Sequence, residues 1–128
     1  MDKEAIRTEA APAPFRGAPY SQAIRAGGLL FVSGQVALQP GSSEPVSDAI
    51  GAQTEQVFAN LRAILEAAGS SLDRIVKTTV YLTDLGDFQA MNEVYKQNVG
   101  ELPPARATIE VSKLPAGSLI EIEAIALA

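Results

Sequence analysis

The chain has 128 residues, a formal net charge of −5 and a sequence pI near 4.6, and it contains neither cysteine nor histidine. These absences exclude disulfide bonds, thiolate catalysis, cysteine-ligated zinc and every mechanism that depends on a histidine base. An acidic chain without a Lys/Arg cluster also lacks the positive stripe of most nucleic-acid-binding proteins, so a nucleic-acid partner is not expected. We expect any chemistry to use Arg, Glu, Tyr, Ser, Thr, backbone groups and water, with no metal or cofactor.

The length fits one domain spanning residues 1–128. Residues 1–19 are charged and then rich in proline and alanine, which predicts an extended lead-in. The N-terminus lacks the apolar central region of a signal peptide, and no apolar run approaches the length of a membrane span. We therefore expect a soluble, cytoplasmic protein without a membrane partner.

The segment 20–38 predicts two short strands joined at Gly27-Gly28, because both glycines tolerate positive φ. The segment 39–47 is rich in turn-forming residues and predicts a loop.

A helix is predicted over about 48–68, with Ser47 or Asp48 as its cap and Gly69 as its stop. Its apolar stripe recurs at three- and four-residue steps and consists of Ile50, Thr54, Val57, Phe58, Leu61, Ile64, Leu65 and Ala68.

The segment 75–83 alternates and predicts a strand whose buried face carries Val76, Thr78, Val80 and Leu82. A second helix is predicted over about 87–98. Two final strands follow, the first over 105–113 and the second reaching the C-terminus after the turn LPAGS.

The resulting order, β-β-α-β-α-β-β, predicts a two-layer α+β domain with two helices on one face of a mixed sheet. We expect the other face to bear Arg106, Lys77, Tyr81 or the last glutamates and to meet water or another copy of the chain. A closed ring of identical chains is the usual result of such an association.

Arg106 follows Pro103-Pro104, so its guanidinium is expected to project from a stiff segment. The planar guanidinium binds a carboxylate through two parallel hydrogen bonds, which lysine cannot imitate. An ordinary surface ion pair with a nearby glutamate explains the same position equally well.

Glu121 and Glu123 share one face of an otherwise apolar final strand. A carboxylate beside water and an electrophilic carbon is a competent general acid or base. On the residues alone, a solvent-facing polar side of the strand is the more common explanation, and only one of the two need be functional.

Ser33-Gly34-Gln35 ends an apolar strand, where the serine hydroxyl could donate to an anion and the glycine permits close backbone approach. A bulge or turn without a ligand is equally consistent. Tyr20 could line a pocket or pack on the sheet edge. Serine nucleophilic catalysis is not expected, because no histidine can activate the hydroxyl.

Taken together, these segments resemble the reactive-intermediate deaminase family, also called RidA or YjgF/YER057c/UK114. The similarity covers residues 12–128 and rests on the segments APYSQAI, LLFVSGQVAL, ILEAAG, DRIVKTTVYLTDLGDFQAMNEVY, LPPARATIEVSKLP and IEIEAIA.

The resemblance implies a chorismate-mutase-like fold, a homotrimer with sites in the clefts between subunits, and hydrolysis of 2-imino or 2-enamino acids to 2-keto acids and ammonia. It places the family's carboxylate-binding arginine at Arg106 and its water-handling glutamate at Glu121. It also implies pocket roles for Tyr20, Ser33 and Asn92, and it shows one departure. Many members have cysteine where this chain has Thr108.

Three alternatives to imine hydrolysis remain at this point. Some relatives are described as endoribonucleases or translation inhibitors, a related subgroup acts on another labile nitrogen compound, and a trimer of this kind could bind ligands without turnover. The acidic chain, which has no histidine, argues against RNA cleavage.

Overall fold

A computed structural model describes residues 2–128 and shows two α-helices on one face of a six-stranded sheet. The predicted α+β class is confirmed. No helix within the described residues is long and apolar enough to cross a membrane. In chain order the elements are β1 (Glu4–Ile6), β2 (Ala23–Ala26), β3 (Leu29–Val36), α1 (Ile50–Ala67), β4 (Ile75–Leu82), α2 (Phe88–Asn98), β5 (Ala105–Glu110) and β6 (Ile120–Leu127).

The strands lie in the order β1-β2-β3-β6-β4-β5 across the sheet. Neighbouring strands are antiparallel except β4 and β5, which are parallel because α2 crosses over between them. The last strand of the chain is therefore central, and β5 forms an edge. Because the helices cover only one face of the sheet, alternate residues of β6 are buried, namely Ile120, Ile122, Ala124 and Ala126.

Helix α1 buries the stripe that the sequence predicts, including Phe58, Leu61 and Leu65, against the sheet. The predicted cap was wrong. Ala49 occupies the cap position without a side-chain hydrogen bond, while the Ser47 hydroxyl accepts from the Ala49 N–H at 3.0 Å. Helix α1 thus depends mainly on packing, with each fully buried aliphatic or phenyl side chain contributing about 1.5–3 kcal/mol.

A bulge at the start of β4 reverses part of the predicted alternation. Ile75 pairs with Ala126 and Lys77 with Ile125, so Val76 has no partner of its own on β6. Ile75 is consequently buried and Val76 exposed, the opposite of the prediction, because an extra residue shifts the alternation by one. The predicted faces are confirmed from Lys77 to Leu82.

The lead-in contains structure that the sequence did not predict. Glu4–Ile6 forms an edge strand that pairs with β2, and its short, charged sequence gives no strand signal. The buried Gln22 amide then holds the segment that follows β1. Its Nε2 donates to the carbonyls of Thr8 and Pro12 at 3.0 and 2.9 Å, and its Oε1 accepts from the Thr8 N–H at 2.8 Å.

The prediction that Arg106 lies on the face opposite the helices was wrong. In the parallel register Arg106 pairs with Thr78 and Thr108 with Val80. Thr78 and Val80 are fully buried under the helices, so Arg106 and Thr108 lie on the helix face too. Alternation within one strand separates two faces, but it does not say which face the helices cover.

The face opposite the helices, here called the open face, carries Lys77, Tyr81 and both final glutamates, as predicted. It also exposes large apolar side chains. Phe31 is 43% exposed and Ile109 is 45% exposed.

Candidate functional site

Helix α2 holds Arg106 through three side chains. The Arg106 Nη1 donates to Asn92 Oδ1 at 2.7 Å, and its Cζ lies 4.6 Å from the Tyr95 ring centroid and 5.4 Å from that of Phe88. Phe88, Asn92 and Tyr95 are spaced four and three residues apart, so they share one side of the helix. We call Arg106, Asn92, Tyr95 and Thr108 the arginine cluster.

Tyr95 is itself fixed in place. Its hydroxyl lies 2.6 Å from Thr78 Oγ1, and its ring meets Phe58 edge-on at 5.4 Å between centroids. Burial raises the pKa of the Tyr95 hydroxyl, so the ring that faces the guanidinium stays neutral. A guanidinium on such a ring gains about 0.5–2 kcal/mol, which fixes the position of Arg106 without neutralising it.

Arg106 keeps an unneutralised charge. Within residues 2–128 no acidic side chain forms a salt bridge with it, so the surface ion pair considered above is not formed there. The guanidinium borders a cavity of about 390 Å³, whose other lining residues include Asn92, Lys96 and Pro103. A preoriented cation beside a cavity is suited to binding an anionic group.

Thr108 lies two residues along β5 from Arg106 and on the same face. Its Oγ1 is buried and has no hydrogen-bond partner within the described residues. Leaving a buried hydroxyl unpaired costs about 1–3 kcal/mol.

Glu121 lies on the other face of the sheet, directly over Gly34. A Cβ added at Gly34 would stand 2.7 Å from Glu121 Cδ and 3.1 Å from its Cγ, with the carboxylate oxygen Oε2 nearer still. The glycine sits in a second bulge, where Ser33 and Gly34 together face the single residue Glu123 of β6. The absence of a side chain at residue 34 therefore creates the space in which the carboxylate lies.

Ser33 belongs to this bulge, and Tyr20 lines a small cavity with Gln35 and Val36, the residues that follow it. The Ser33 hydroxyl donates to the Ser21 carbonyl at 2.6 Å, so its proton is already used and only its lone pairs remain available. The Tyr20 hydroxyl accepts from the Phe15 N–H at 2.7 Å, which leaves its own proton free to donate. Tyr20 is 44% exposed. We call Tyr20, Ser33, Gly34 and Glu121 the glutamate cluster.

The environment of Glu121 favours its protonated form. Burial, and secondly the negative charge of Glu123, raise the pKa of Glu121. The Tyr81 hydroxyl donates to Glu123 Oε1 on the same open face. Glu121 and Glu123 thus share one face of β6 but differ in their burial and hydrogen bonding.

Comparison with known proteins identifies the family of the chain that carries these two clusters. The sequence model of the family described as Endoribonuclease L-PSP, the YjgF/RidA family, matches residues 8–128. A RutC family protein of Pyrococcus horikoshii is 56% identical over 124 residues, covering 97% of each chain. The chain belongs to this family.

Two further Rid proteins show the range of the family. The chloroplastic Reactive Intermediate Deaminase A of Arabidopsis thaliana is 46% identical over 98% of this chain and 66% of its own length. The crystal structure of RidA from an Antarctic Psychrobacter superposes with a TM-score of 0.91 at 45% identity, covering 98% of this chain and 99% of the other. The fold described above is thus the Rid fold.

The six residues selected from the sequence divide between the two clusters. Asn92, Arg106 and Thr108 lie together on the helix side of β5, whereas Tyr20, Ser33 and Glu121 lie near the bulge of β3. Because Arg106 and Glu121 are on opposite faces of one sheet, a single Rid chain does not bring them together.

Three contributors were not singled out as site residues from the sequence. Tyr95 and Phe88 fall within the predicted second helix, and their spacing with Asn92 was a usable signal. Tyr81 was assigned only to a strand face, because its hydrogen bond to Glu123 depends on the pairing of β4 with β6.

Proposed function

We propose that this Rid protein hydrolyses 2-imino and 2-enamino acids, such as 2-iminopropanoate and 2-iminobutanoate, to 2-keto acids and ammonia. The observation that carries the proposal is Arg106. Its guanidinium is oriented by Asn92 and Tyr95 without an acidic partner within residues 2–128, which suits it to a substrate carboxylate. In the cell we place this reaction in the cytoplasm.

The complete site would be shared between copies of the chain. β5 is an edge strand, so Arg106 on one copy can approach the open face of another copy, where Glu121 lies. Leu102, next to the Pro-Pro pair, is 87% exposed and Phe31 on the open face is 43% exposed. Such side chains favour a partner surface, and a closed homotrimer would cover them while assembling three equal sites.

The reaction suits these residues. Arg106 would bind and orient the substrate carboxylate, which is chiefly a positioning contribution. Glu121 would take a proton from the water that attacks C2 and return it to the departing nitrogen, a role that typically contributes ~10²–10⁴-fold. Tyr20 has a free hydroxyl proton and Thr108 an unpaired oxygen, and either could contact the polar atoms of the substrate.

The proposal can be tested by imine trapping. An amino-acid oxidase or dehydratase generates 2-iminopropanoate or 2-iminobutanoate, semicarbazide traps it, and the protein should suppress the trapped product. Arg106→Ala should abolish suppression with the oligomer intact, whereas Arg62→Ala, a change at an exposed helix position, should not. No suppression by the unmodified protein at micromolar concentration would contradict the proposal.

Mixing two inactive variants tests whether the site is shared. Chains carrying Arg106→Ala and chains carrying Glu121→Ala, unfolded together and refolded at equal amounts, should regain about a quarter of full activity, since one interface in four combines both intact residues. Mass spectrometry confirms that mixed oligomers form. Mixed oligomers without activity would show that both residues act within one chain.

The description of the family model as an endoribonuclease favours a second candidate, RNA cleavage. Incubation of single-stranded RNA with the protein and with Arg106→Ala separates the two. Cleavage without suppression of imine trapping would favour the second candidate, and binding of 2-keto acids with neither activity would indicate a ligand-binding trimer.

A further inference from the structure

Glu121 and Glu123 are two carboxylates on one face of β6, separated by one residue. Residues so spaced on a strand have Cα atoms about 7 Å apart, so their charges interact. The surroundings of each carboxylate therefore decide where on this face a negative charge is best held.

Glu123 has a hydrogen-bond donor that Glu121 lacks. The Tyr81 hydroxyl donates to Glu123 Oε1, although the Tyr81 backbone pairs with Glu121. The side chain therefore reaches one residue along the neighbouring strand. A hydrogen bond from a neutral donor stabilises the charged carboxylate and fixes its position.

Glu121 lies in the reverse environment. It is half-buried over Gly34, and its carboxylate accepts no hydrogen bond within residues 2–128. A negative charge is therefore less favourable on Glu121 than on Glu123, because the Glu121 carboxylate is desolvated, has no donor and lies beside another carboxylate.

We propose that Tyr81 and Glu123 are positioning residues that act through Glu121, fixing a negative charge beside it so that the resting site holds its proton on Glu121. This inference rests on the proposed deaminase function. It makes Glu121 first an acid and only afterwards a base.

Other charges near Glu121 do not change this assignment. β3 carries no titratable residue, and on β4 the open face holds Tyr81 and, four residue pairs further along, Lys77. The Arg106 of a neighbouring copy would face the site in every variant alike, so it does not account for differences between variants. Two directions agree with the geometry: the pKa of Glu121 is raised, and the hydrogen bond to Glu123 raises the pKa of Tyr81 to about 12, so Tyr81 stays a neutral donor.

The reaction then balances with one carboxyl group. Protonated Glu121 gives its proton to the imine nitrogen and forms an iminium, whose C2 is attacked by water as the Glu121 carboxylate takes a water proton. Glu121 passes that proton to the amino nitrogen of the carbinolamine. It then accepts the hydroxyl proton as the C–N bond breaks, which releases ammonia, forms the keto group and restores the starting acid.

Carbon-13 NMR of glutamate-labelled protein, in its native oligomer, tests the proton placement without any substrate. Glu123→Gln should lower the titration midpoint of the Glu121 carboxyl, and Tyr81→Phe should lower it by a smaller amount. Adding Tyr81→Phe to Glu123→Gln should cause no further change. Glu55→Gln, the same charge change at an exposed position of α1, should leave the midpoint unaltered. If the Glu121 carboxyl had the same titration midpoint in Glu123→Gln as in Glu55→Gln, the inference would be overturned.

Enzyme kinetics test how the placement of the proton affects the reaction rate. Glu123→Gln should lower kcat at pH 8 by roughly three- to tenfold with KM nearly unchanged, and activity should recover at lower pH. An unshifted pH profile would contradict the inference. An unmodified protein that does not suppress imine trapping would instead contradict the deaminase function, while the NMR midpoints still decide where the proton lies.

Discussion

Replacing Gly34 by alanine would displace Glu121 and leave the rest of the sheet nearly unchanged. The new Cβ would stand 2.7 Å from Glu121 Cδ, whereas ordinary contact begins at 3.4 Å, so the carboxyl group must move by about 0.7 Å or more. Gly34 does not have a positive φ, so its backbone accepts alanine without strain. The overlapping atoms belong to the end of a flexible side chain, which can swing away at small cost to stability.

A displacement near 1 Å at a catalytic group costs on the order of 10²-fold in rate. We therefore expect Gly34→Ala to lower kcat for imine hydrolysis about 10²-fold, with little change in KM, because Arg106 still binds the carboxylate. Semicarbazide competition measures the rate, and thermal unfolding should show a shift of about 1 kcal/mol or less in the free energy of unfolding.

Gly51→Ala is the matched control. Its added Cβ would meet only Val94 Cγ2, at 4.0 Å, and the residue lies in α1, where alanine is favoured over glycine by about 1 kcal/mol. This variant should be fully active and slightly more stable. Full activity of Gly34→Ala as well would refute the reasoning, because the position of Glu121 would then not limit the rate.

Three further predictions concern other parts of the molecule. Asn92→Ala removes one hydrogen bond from Arg106 and should raise KM more than it lowers kcat, measured over a substrate series; an unchanged KM would mean that Tyr95 alone orients the guanidinium. Gln22→Ala leaves the buried backbone groups of Thr8 and its neighbours unpaired and should cost about 1–3 kcal/mol, with faster proteolysis around residues 7–14; equal proteolysis rates would contradict this. The folded-state pKa of Glu121 is raised, so the folded form binds more protons than the unfolded form and loses stability as pH rises. Glu121→Gln should therefore raise Tm more at pH 8 than at pH 4. An equal gain in Tm at both pH values would contradict the raised pKa.

The sequence predicts the helices and strands of this fold well where one hydrophobic pattern repeats several times. The eighteen residues of α1 and the alternation of β6 each contain several repeats of one pattern, so single exceptions do not hide it. Strand β1 has three residues and two of its side chains are exposed, which is too little to show a pattern. The bulge at Val76 escapes prediction because it depends on the partner strand.

The site is harder to predict than the fold. Arg106 and Glu121 stand out in the sequence as charges in strands, but the face on which each lies depends on which side the helices cover. The parallel pairing of β5 with β4 decides this for Arg106. The role of Gly34 as the surface under Glu121 depends on an irregular register between strands far apart in the sequence.

The bulge in β3 contains one residue more than regular pairing with β6 requires. Val32 and Gln35 are both buried although three positions separate them, and a regular strand would place such residues on opposite faces. Deleting either Ser33 or Gly34 would leave the flanking residues two positions apart, on one face and in unbroken register with β6. The pairing of β3 with β6 therefore does not require the additional residue, and a deletion of one residue at this point would leave the architecture unaltered. Deletion of Gly34, however, would remove the surface on which Glu121 lies.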